Sequence, residues 1–398
     1  QLLHGQDGGQ EIEVDARIRT RRILGNKPPV PGATLTLTID RDLQIAAERL
    51  MQGRSGAAVA VDPQTGEILA MVSKPDFDPN IFVKKVRLED WNKIIQNKAN
   101  PLQNRAISNV YPPGSTYKTV IATAALHYGV CTPDTAMHCS GVGLYHRRCW
   151  KRHGGVNFTT AISQSCDVFF YEMGRRLGIA RQAEMARAFG LGEITNIDLP
   201  EGTVPDEEWK RKNFRKPEMK KWQPGETVIC AIGQGFVQAS PLQMALVSAA
   251  VSTSGKMYVP HVLKEARASD ASGTIIKSFE PRLARQVPAS PEVFKAVQYG
   301  MRQTVIGPGG TGRVVNLEGV TVAGKTGSAE DPPRKSPHGW FICFAPVENP
   351  KIAIAVICEQ GGHGSTSAAP VARALLDVYF GKLKASDVKP RVVHVSGD

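Results

Sequence analysis

Short apolar β-type segments occur near both ends of the chain, whereas helical patterns occupy its middle. Residues 56–73 read GAAVAVDPQTGEILAMVS, and residues 338–359 read HGWFICFAPVENPKIAIAVICE. Each contains two apolar runs around a proline-containing turn, which predicts two β-hairpins. Residues 101–300 carry longer patterns with helical spacing. Because strands and helices are segregated rather than alternating, we predict an α+β fold. One antiparallel sheet would be assembled from both chain ends, with a helical subdomain packed against it.

The first forty residues contain two more stretches with the alternation of a strand. These are residues 11–24 and 32–40, and the proline- and glycine-rich GNKPPVPG separates them. Asp40 then precedes the amphipathic stretch DRDLQIAAERLM as a predicted helix N-cap. We therefore expect a strand in each stretch, followed by a helix that begins after Asp40.

The charge balance limits the classes of partner. With 49 Lys and Arg against 37 Asp and Glu, the net charge is +12, which suits an anionic polymer or surface. Only 7% of the residues are aromatic, and no nucleic-acid-binding motif accompanies the charge, so nucleic acid is not an expected partner. The basic segment EEWKRKNFRKPEMKKW (207–222) is either a solvated loop or a docking site for something acidic.

A serine lies three residues ahead of a lysine in YPPGSTYKTV, residues 111–120. The prolines and the glycine favour a helix that begins at Ser115, which would place Lys118 one turn away on the same face. A helix N-terminus also offers free backbone N–H groups and positive potential. Nucleophilic catalysis requires an activated hydroxyl, a proton acceptor and an oxyanion site. This stretch could supply all three, although serine-x-x-lysine alone is a weak signal.

Two further tripeptides follow in an informative order. They are Ser165, Cys166 and Asp167, and then Lys325, Thr326 and Gly327 on an apolar strand, with Ser328 directly after. Lysine and threonine on an edge strand suit the recognition of a carboxylate, because they offer a positive charge and a hydroxyl. The three motifs together resemble the signature of penicillin-binding proteins and serine β-lactamases.

The resemblance extends over nearly the whole chain from about residue 30. The stretches PGATLTLTIDRDLQ, NRAISNVYPPGSTYK, AIGQGFVQASPLQMA and GWFICFAP resemble the transpeptidase part of class B penicillin-binding proteins. VNFTTAISQSCDVFFY and the EEWKRK insert are most similar to the penicillin-binding protein 2 branch, which serves cell elongation. The resemblance implies a penicillin-binding/β-lactamase-like transpeptidase domain over residues 56–385. A pedestal remnant and linker would occupy residues 1–55, and a C-terminal tail residues 386–398.

The resemblance also implies a location. Members of this family carry one membrane helix ahead of a periplasmic pedestal and catalytic domain. The chain begins at Gln1 rather than methionine and contains no apolar run of the ~18 residues that a membrane helix needs. We therefore expect a periplasmic domain of a single-pass inner-membrane protein, anchored by a helix that is absent from this chain.

The implied reaction is acyl transfer on peptidoglycan stem peptides. By resemblance, Ser115 attacks the carbonyl between two D-alanines and Lys118 accepts its proton. Ser165 relays a proton to the leaving amine, while Lys325 and Thr326 hold the terminal carboxylate. The expected product is a cross-link between stem peptides, and β-lactams would acylate the serine as substrate mimics.

The remaining site residues are assigned by the same resemblance. The backbone N–H groups of Ser115 and Ser328 would form the oxyanion hole, and Gly327 would let the substrate approach the strand. Asp167 departs from the Ser-x-Asn pattern of the second motif, because a carboxylate accepts hydrogen bonds but cannot donate as an amide does. Its role is therefore left open at this stage.

The resemblance implies partners as well as substrates. These are an elongation glycosyltransferase and scaffold proteins, and no organic cofactor is expected. Three alternatives share the motifs: a D-alanyl-D-alanine carboxypeptidase, which uses water as acceptor; a serine β-lactamase, which is usually shorter; and a non-enzymatic β-lactam sensor or scaffold.

Four potential metal ligands lie between the first two motifs and within the second. Cys139, Cys149, His153 and Cys166 are a complete tetrahedral set for Zn²⁺. By resemblance, His153 and Cys166 match ligand positions of zinc-carrying members of the branch, while the other two fall where aspartates serve elsewhere. A structural zinc would then anchor the second motif. The open alternatives are a Cys139–Cys149 disulfide, free thiols, and ligation by His138 or His146.

Other cysteines and histidines have less specific expectations. Cys230, Cys343 and Cys358 lie in apolar stretches and are predicted to be core thiols. His338 and His363 flank the last strands, where contact with substrate is a weaker alternative to a structural role.

Overall fold

The computed structural model describes residues 2–83, 85–195, 197, 201–270, 272–333 and 336–390. Its strands are β1 (Gly9–Val14), β2 (Thr20–Lys27), β3 (Thr34–Leu37), β4 (Gly56–Val61), β5 (Ile68–Lys74), β6 (Ala136–Cys139), β7 (Gly154–Asn157), β8 (Lys256–Tyr258), β9 (Leu263–Arg267), β10 (Ile275–Ser278), β11 (Leu283–Gln286), β12 (Ala323–Ala329), β13 (His338–Ala345) and β14 (Ile352–Cys358).

The helices lie mostly between β5 and β12. The α-helices are α1 (Arg41–Met51), α2 (Leu88–Ile95), α3 (Lys118–His127), α4 (Phe158–Ser163), α5 (Asp167–Ala188), α6 (Glu207–Asn213), α7 (Pro217–Lys220), α8 (Pro224–Cys230), α9 (Pro241–Ser252), α10 (Pro291–Ile306) and α11 (Ala369–Tyr379). Short 3₁₀ helices span Pro79–Phe82, Gly114–Tyr117, Leu144–His146, Arg313–Val315 and Ala385–Asp387. Among the described residues, no helix combines the length and apolar character that crossing a membrane requires.

The chain divides into two compact units. Residues 1–38 and 261–281 form the smaller unit, and residues 39–260 and 282–398 form the larger one. The boundaries expected at residues 55 and 385 remain predictions. Residues 391–398 of the expected C-terminal tail lie outside the described residues.

The smaller unit corrects one sequence expectation. Residues 11–24 form a hairpin of β1 and β2 rather than one strand. The Asp15 carboxylate accepts hydrogen bonds from the backbone N–H groups of Arg17 (2.9 Å) and Arg19 (3.0 Å), which closes a turn in the middle of the stretch. An alternating pattern does not reveal such a turn, because both arms of a hairpin alternate in the same way. β3 pairs with β9 and β9 with β10 in a separate three-stranded sheet.

The larger unit contains the sheet predicted from the two chain ends. Its strand order is β12-β13-β14-β4-β5, and every neighbouring pair is antiparallel. Both predicted hairpins, β4–β5 and β13–β14, are present. Asp40 caps α1 as expected, since its carboxylate accepts the N–H of Leu43 at 2.8 Å. β12, the first of the three strands contributed by the C-terminal part of the chain, lies at one edge of the sheet.

Both faces of this sheet are buried, which explains the continuous apolar runs in its strands. One face carries Val59, Ile342 and Ala355 against the central helices. The other face carries Phe341 and Ile354 against α1 and α11. Cys230, Cys343 and Cys358 are at most 2% exposed, which confirms them as core thiols. The rigid, doubly covered sheet therefore holds β12 in place beside the helical region.

Candidate active site

The serine of the first motif lies on a tight turn that leads into α3. Ser115 belongs to the 3₁₀ helix Gly114–Tyr117, and the α-helix begins only at Lys118. In a 3₁₀ turn the side chains at positions i and i+3 eclipse one another, so Ser115 and Lys118 still share a face. Gly114 has φ +54°, and a Cβ there would lie 2.7 Å from the Ser328 carbonyl oxygen. Only glycine therefore fits between the serine turn and β12.

Lys118 joins the first motif to the second. It is fully buried, and its Nζ lies 2.6 Å from Asp167 Oδ1, 3.1 Å from Ser165 Oγ and 3.0 Å from the Ser165 carbonyl oxygen. Lys118 Nζ also lies over the ring of Phe170, 5.4 Å from the ring centroid. Asp167 accepts a hydrogen bond here, which an asparagine could match with its oxygen but without the negative charge. Ser165 has φ +56°, a strained conformation of the kind found at functional sites.

The third motif reaches the other two from the edge strand. Lys325 is fully buried, and its Nζ donates to the Thr326 carbonyl oxygen at 3.0 Å. Burial lowers the pKa of Lys325 well below its ordinary value, and repulsion by Lys118 lowers it further, while Asp167 opposes the shift. This electrostatic coupling links the lysines of the first and third motifs. A neutral Lys325 would regain its charge most readily beside a bound carboxylate.

The end of β12 faces the serine turn directly. A Cβ on Gly327 would lie 3.0 Å from Thr116 Cγ2 and 3.1 Å from the Pro113 carbonyl oxygen, so the glycine permits this approach. In an antiparallel strand, the N–H and C=O of one residue point to the same side. Because the Ser328 carbonyl faces Gly114, the Ser328 N–H also points toward the serine turn. The structure thus gathers all eight residues of the predicted catalytic set around β12, α3 and the start of α5.

Sequence reasoning missed several residues that support this arrangement. Thr311 Oγ1 lies 2.6 Å from Thr326 Oγ1. The Gly114 N–H donates to the Gly233 carbonyl at 2.9 Å, and the buried Trp340 indole N–H donates to the Pro112 carbonyl at 3.0 Å. These residues are distant from the motifs in sequence, and only the cluster of glycines around Gly233 gave any local signal.

The two histidines have different positions. His338 is fully buried; its Nδ1 accepts the Gln360 N–H at 3.0 Å, and its Nε2 lies 3.1 Å from Asp331 Oδ2. This position agrees with the structural role that the sequence favoured for His338, because the start of β13 is covered. His363 is exposed, with Nδ1 3.4 Å from Ser328 Oγ, so it remains beside the site.

The Cys/His cluster is assembled next to the second motif. The ligand atoms of Cys139, Cys149, His153 and Cys166 all lie within 4.8 Å of one another. His153 Nδ1 is 3.5 Å from each of Cys139 Sγ and Cys149 Sγ. Its Nε2 lies 3.2 Å from the Gln164 carbonyl oxygen and can donate to it, leaving Nδ1 as the unprotonated nitrogen. None of the seven cysteines, all of which the structure describes, is joined in a disulfide, so the alternative Cys139–Cys149 disulfide is not formed.

Local hydrogen bonds also favour a thiolate in this cluster. The hydrogen bond from Cys166 lowers the pKa of Cys149 to about 5, and the same bond raises the pKa of Cys166. The Asp167 N–H also donates to Cys149 Sγ at 3.2 Å. The cluster is therefore bonded directly to the backbone of the second motif.

An open cavity elsewhere in the larger unit is separate from the candidate catalytic residues. It has a volume of about 530 Å³ and is lined by residues around α1 and the end of β5, among them Glu48, Arg49 and Lys74. None of the predicted site residues lines it. The convergence of titratable side chains at the edge strand identifies the candidate site better than cavity size does.

Comparison with known proteins agrees with this geometry. Residues 56–377 match the family described as the penicillin-binding protein transpeptidase domain. The chain belongs to this family. A curated relative, the peptidoglycan D,D-transpeptidase MrdA of Acinetobacter baumannii, is 38% identical over 427 residues, covering 100% of this chain and 61% of the relative. The chain thus spans less than two thirds of the length of the first curated relatives it matches.

Two solved structures of family members are also similar to this chain. Penicillin-binding protein A of Mycobacterium tuberculosis, solved as a ceftriaxone acyl-enzyme, has 30% identity and a TM-score of 0.77, covering 87% of this chain and 80% of that one. Penicillin-binding protein 2 of Helicobacter pylori, solved with MreC, has 30% identity and a TM-score of 0.81, covering 96% and 71%. The predicted transpeptidase fold and the predicted similarity to penicillin-binding protein 2 are thereby confirmed.

Proposed function

We propose that this chain is the catalytic part of a peptidoglycan D,D-transpeptidase that acts through a serine acyl-enzyme. The observation that carries the proposal is the contact of Lys118 Nζ with Ser165 Oγ and Asp167 Oδ1, three residues after Ser115 on the turn that packs against β12. Nucleophile, proton carriers and carboxylate-binding lysine therefore meet at one strand edge. No organic cofactor is needed for acyl transfer by these groups.

Acylation begins with attack of Ser115 Oγ on the carbonyl carbon between two D-alanines. The Oγ–C bond forms as the serine proton passes to Lys118. For this, Lys118 must first release a proton, and Asp167 at 2.6 Å and the Ser165 hydroxyl at 3.1 Å are placed to take or relay it. The C–N bond then breaks. Ser165 gives its hydroxyl proton to the departing amine nitrogen and takes the serine proton from Lys118, 3.1 Å away, and D-alanine leaves.

The edge strand recognises the substrate during this step. Lys325 and the Thr326 hydroxyl hold the terminal carboxylate. Thr311, 2.6 Å from Thr326 Oγ1, can donate to that oxygen and leave the Thr326 hydrogen for the substrate. The N–H groups of Ser115 and Ser328 receive the oxyanion, where preorganised donors contribute most to the rate. The acceptor amine then attacks the ester carbonyl, the C–Oγ bond breaks, and the amine proton returns to the serine oxygen.

The acceptor distinguishes this function from its rivals. A chain incubated with a D-Ala-D-Ala donor and a stem-peptide amine should yield the cross-linked peptide as well as free D-alanine. Hydrolysis alone would identify a carboxypeptidase, and rapid turnover of a penicillin would identify a β-lactamase. A lasting penicilloyl adduct without any reaction of the donor peptide would identify the sensor, and absence of any acyl-enzyme would leave only the scaffold.

The Cys/His cluster fits a structural Zn²⁺. Tetrahedral zinc with Zn–S near 2.3 Å and Zn–N near 2.0–2.1 Å separates neighbouring S and N ligand atoms by about 3.5 Å, and both His153–cysteine distances are 3.5 Å. Cys139, Cys149, His153 and Cys166 would hold the ion. It would supply structural cross-linking only, because the four protein ligands fill a tetrahedral site. Elemental analysis of protein purified without chelator should find one zinc per chain, and a chelator should lower the melting temperature.

We also propose a setting for the whole protein. Its similarity to the Helicobacter pylori protein solved with MreC supports a scaffold partner of the elongation machinery, together with a glycosyltransferase that supplies the strands. The catalytic domain would face the periplasm, anchored by a helix outside this chain. Fractionation of the full-length gene product should recover it with the inner membrane.

A further inference from the structure

The basic segment 207–222 folds into two short helices rather than a solvated loop. Residues Glu207–Asn213 and Pro217–Lys220 form α6 and α7. Six basic side chains of the segment are exposed, and we refer to them as the basic platform: Arg211, Lys212, Arg215, Lys216, Lys220 and Lys221. Lys212 pairs with Glu208 at 2.7 Å. The other five form no ion pair with any residue that the structure describes.

A buried lysine holds the platform together from inside. Lys210 is 4% exposed; its Nζ donates to the Lys221 carbonyl at 2.8 Å and forms an ion pair with Glu226. The same Nζ lies 5.8 Å, 5.7 Å and 5.8 Å from the ring centroids of Phe214, Trp222 and Phe236. Burying a charged lysine is strongly unfavourable unless it is paired. This paired lysine and its aromatic rings thus fix the backbone that presents the outer cations.

The platform is attached to the loop that supports the nucleophile. Phe236 belongs to the aromatic group around Lys210 and stands three residues from Gly233, a span of at most about 11 Å. The Gly233 carbonyl accepts the N–H of Gly114, next to Ser115. The aromatic group around Lys210 is thus linked through three residues to the loop that supports the serine turn.

The side chains of the platform restrict the kind of ligand. The rings of Phe214, Trp222 and Phe236 surround Lys210 Nζ and are only partly exposed, which limits their use as a stacking surface for nucleic-acid bases. Met219 is the one large apolar side chain that α6 and α7 expose among their described residues, and helices this short and polar lack the apolar face of a membrane-binding helix. What remains is a set of spaced cations suited to a flexible polymer with repeated carboxylates.

We propose that the basic platform binds carboxylates of stem peptides on the peptidoglycan strand that supplies the acceptor. This inference rests on the proposed transpeptidase function. The donor carboxylate is already assigned to Lys325 and Thr326, so the platform serves neighbouring stems on the strand. A single exposed ion pair contributes little to binding, and several contacts on one chain add through effective concentration. The strand is therefore held weakly and can move on after each cross-link.

The test compares two variants with the same loss of charge. Arg215→Gln/Lys216→Gln/Lys220→Gln removes three platform cations. Lys382→Gln/Lys384→Gln/Lys389→Gln removes three exposed cations near the C-terminus. The probe is soluble, uncross-linked glycan chains that carry pentapeptide stems, with the same chains stripped of their stems as a second probe. Binding is measured at low and at high salt, and melting temperatures establish that both variants are folded.

At low salt, the platform variant should raise the apparent Kd for stem-bearing chains at least fivefold, and the C-terminal variant less than twofold. Stripped chains should bind the unaltered protein as weakly as stem-bearing chains bind the platform variant. Equal losses in the two variants, or equal binding of both probes, would overturn the proposal. So would platform-dependent binding of phosphatidylglycerol vesicles without binding of stem-bearing chains.

Penicillin acylation of the unaltered protein distinguishes a failure of this inference from a failure of the proposed function. If a penicillin fails to acylate Ser115, the transpeptidase assignment fails. If Ser115 is acylated but strand binding does not depend on the platform, only the docking inference fails.

Discussion

Replacing Lys118 with methionine should destabilise the protein as well as stop acylation. The sequence motif alone assigns this lysine to proton transfer, but the structure buries its Nζ fully and places it 2.6 Å from Asp167, which is 14% exposed. Removing one partner of a buried ion pair costs about 3–5 kcal/mol, because the other charge stays buried without compensation. The slight exposure of Asp167 favours the lower figure, and methionine keeps the side-chain volume, so no cavity adds to the cost. We expect a loss of about 3 kcal/mol.

The ion pair between Lys118 and Asp167 allows this reasoning to be refuted by comparing a single variant with a double variant. At about 2 °C per kcal/mol for a chain of this size, Lys118→Met should lower the melting temperature at pH 7 by roughly 6 °C. Lys118→Met/Asp167→Asn should recover most of that loss, since neither charge of the pair remains. A fluorescent penicillin should acylate both variants about 10²–10⁴-fold more slowly than the unaltered protein, which is the usual range for a lost general base. A single variant as stable as the unaltered protein, or a double variant no more stable than the single one, would refute the reasoning.

A matched control uses another buried pair in the same unit. Arg105 is 4% exposed, and its Nε lies 3.1 Å from Glu359 Oε1. Arg105→Met should cost stability of the same order, while the penicillin acylation rate falls far less than in Lys118→Met. This separates the loss of a proton acceptor from general destabilisation.

Three further predictions concern the rest of the site. Unfolded lysine keeps its proton up to about pH 10.5 whereas buried Lys325 loses it at lower pH, so the unfolded state binds more protons in that window. Stability should then rise with pH by up to about 1.4 kcal/mol per pH unit, and urea titrations of Lys325→Met should lack that rise. Gly233→Ala would place a Cβ 2.2 Å from the Gly114 carbonyl oxygen and should slow acylation at least tenfold. Gly53→Ala, with a similar φ of +72° but open space, should cost only modest stability; equal acylation rates would contradict this view of the turn. Cys166→Ser should lose bound zinc by elemental analysis and melt at lower temperature, whereas Cys131→Ser outside the cluster should keep the metal; zinc retained by Cys166→Ser would exclude it as a ligand.

The parts of the fold that the sequence predicted are those with local signals. The hairpins β4–β5 and β13–β14 combine apolar runs with proline-containing turns, and the cap at Asp40 needs only its own helix. The hairpin at Asp15 escaped prediction because its turn is closed by one carboxylate inside an unbroken alternating pattern. Local sequence thus located strands well but did not show where one strand turns back on another.

The features of the site also divide into those with local sequence signals and those that depend on long-range packing. Its three motifs were predictable because their spacing is short and each carries its own chemistry. The contact of Thr311 with Thr326 and the support of Gly114 by Gly233 depend on tertiary packing between distant segments, which no local pattern encodes. The burial of His338 depends on tertiary packing in the same way, since the start of a strand can be covered or open depending on which segments pack over it.

The most direct test of the account is the site of penicillin acylation. Intact-mass measurement after incubation with benzylpenicillin, followed by peptide mapping, should find one penicilloyl group per chain, on the peptide that contains Ser115. The Ser115→Ala variant should carry none. An adduct on any other serine of the unaltered protein, or full labelling of Ser115→Ala, would contradict the assignment of Ser115 as the nucleophile.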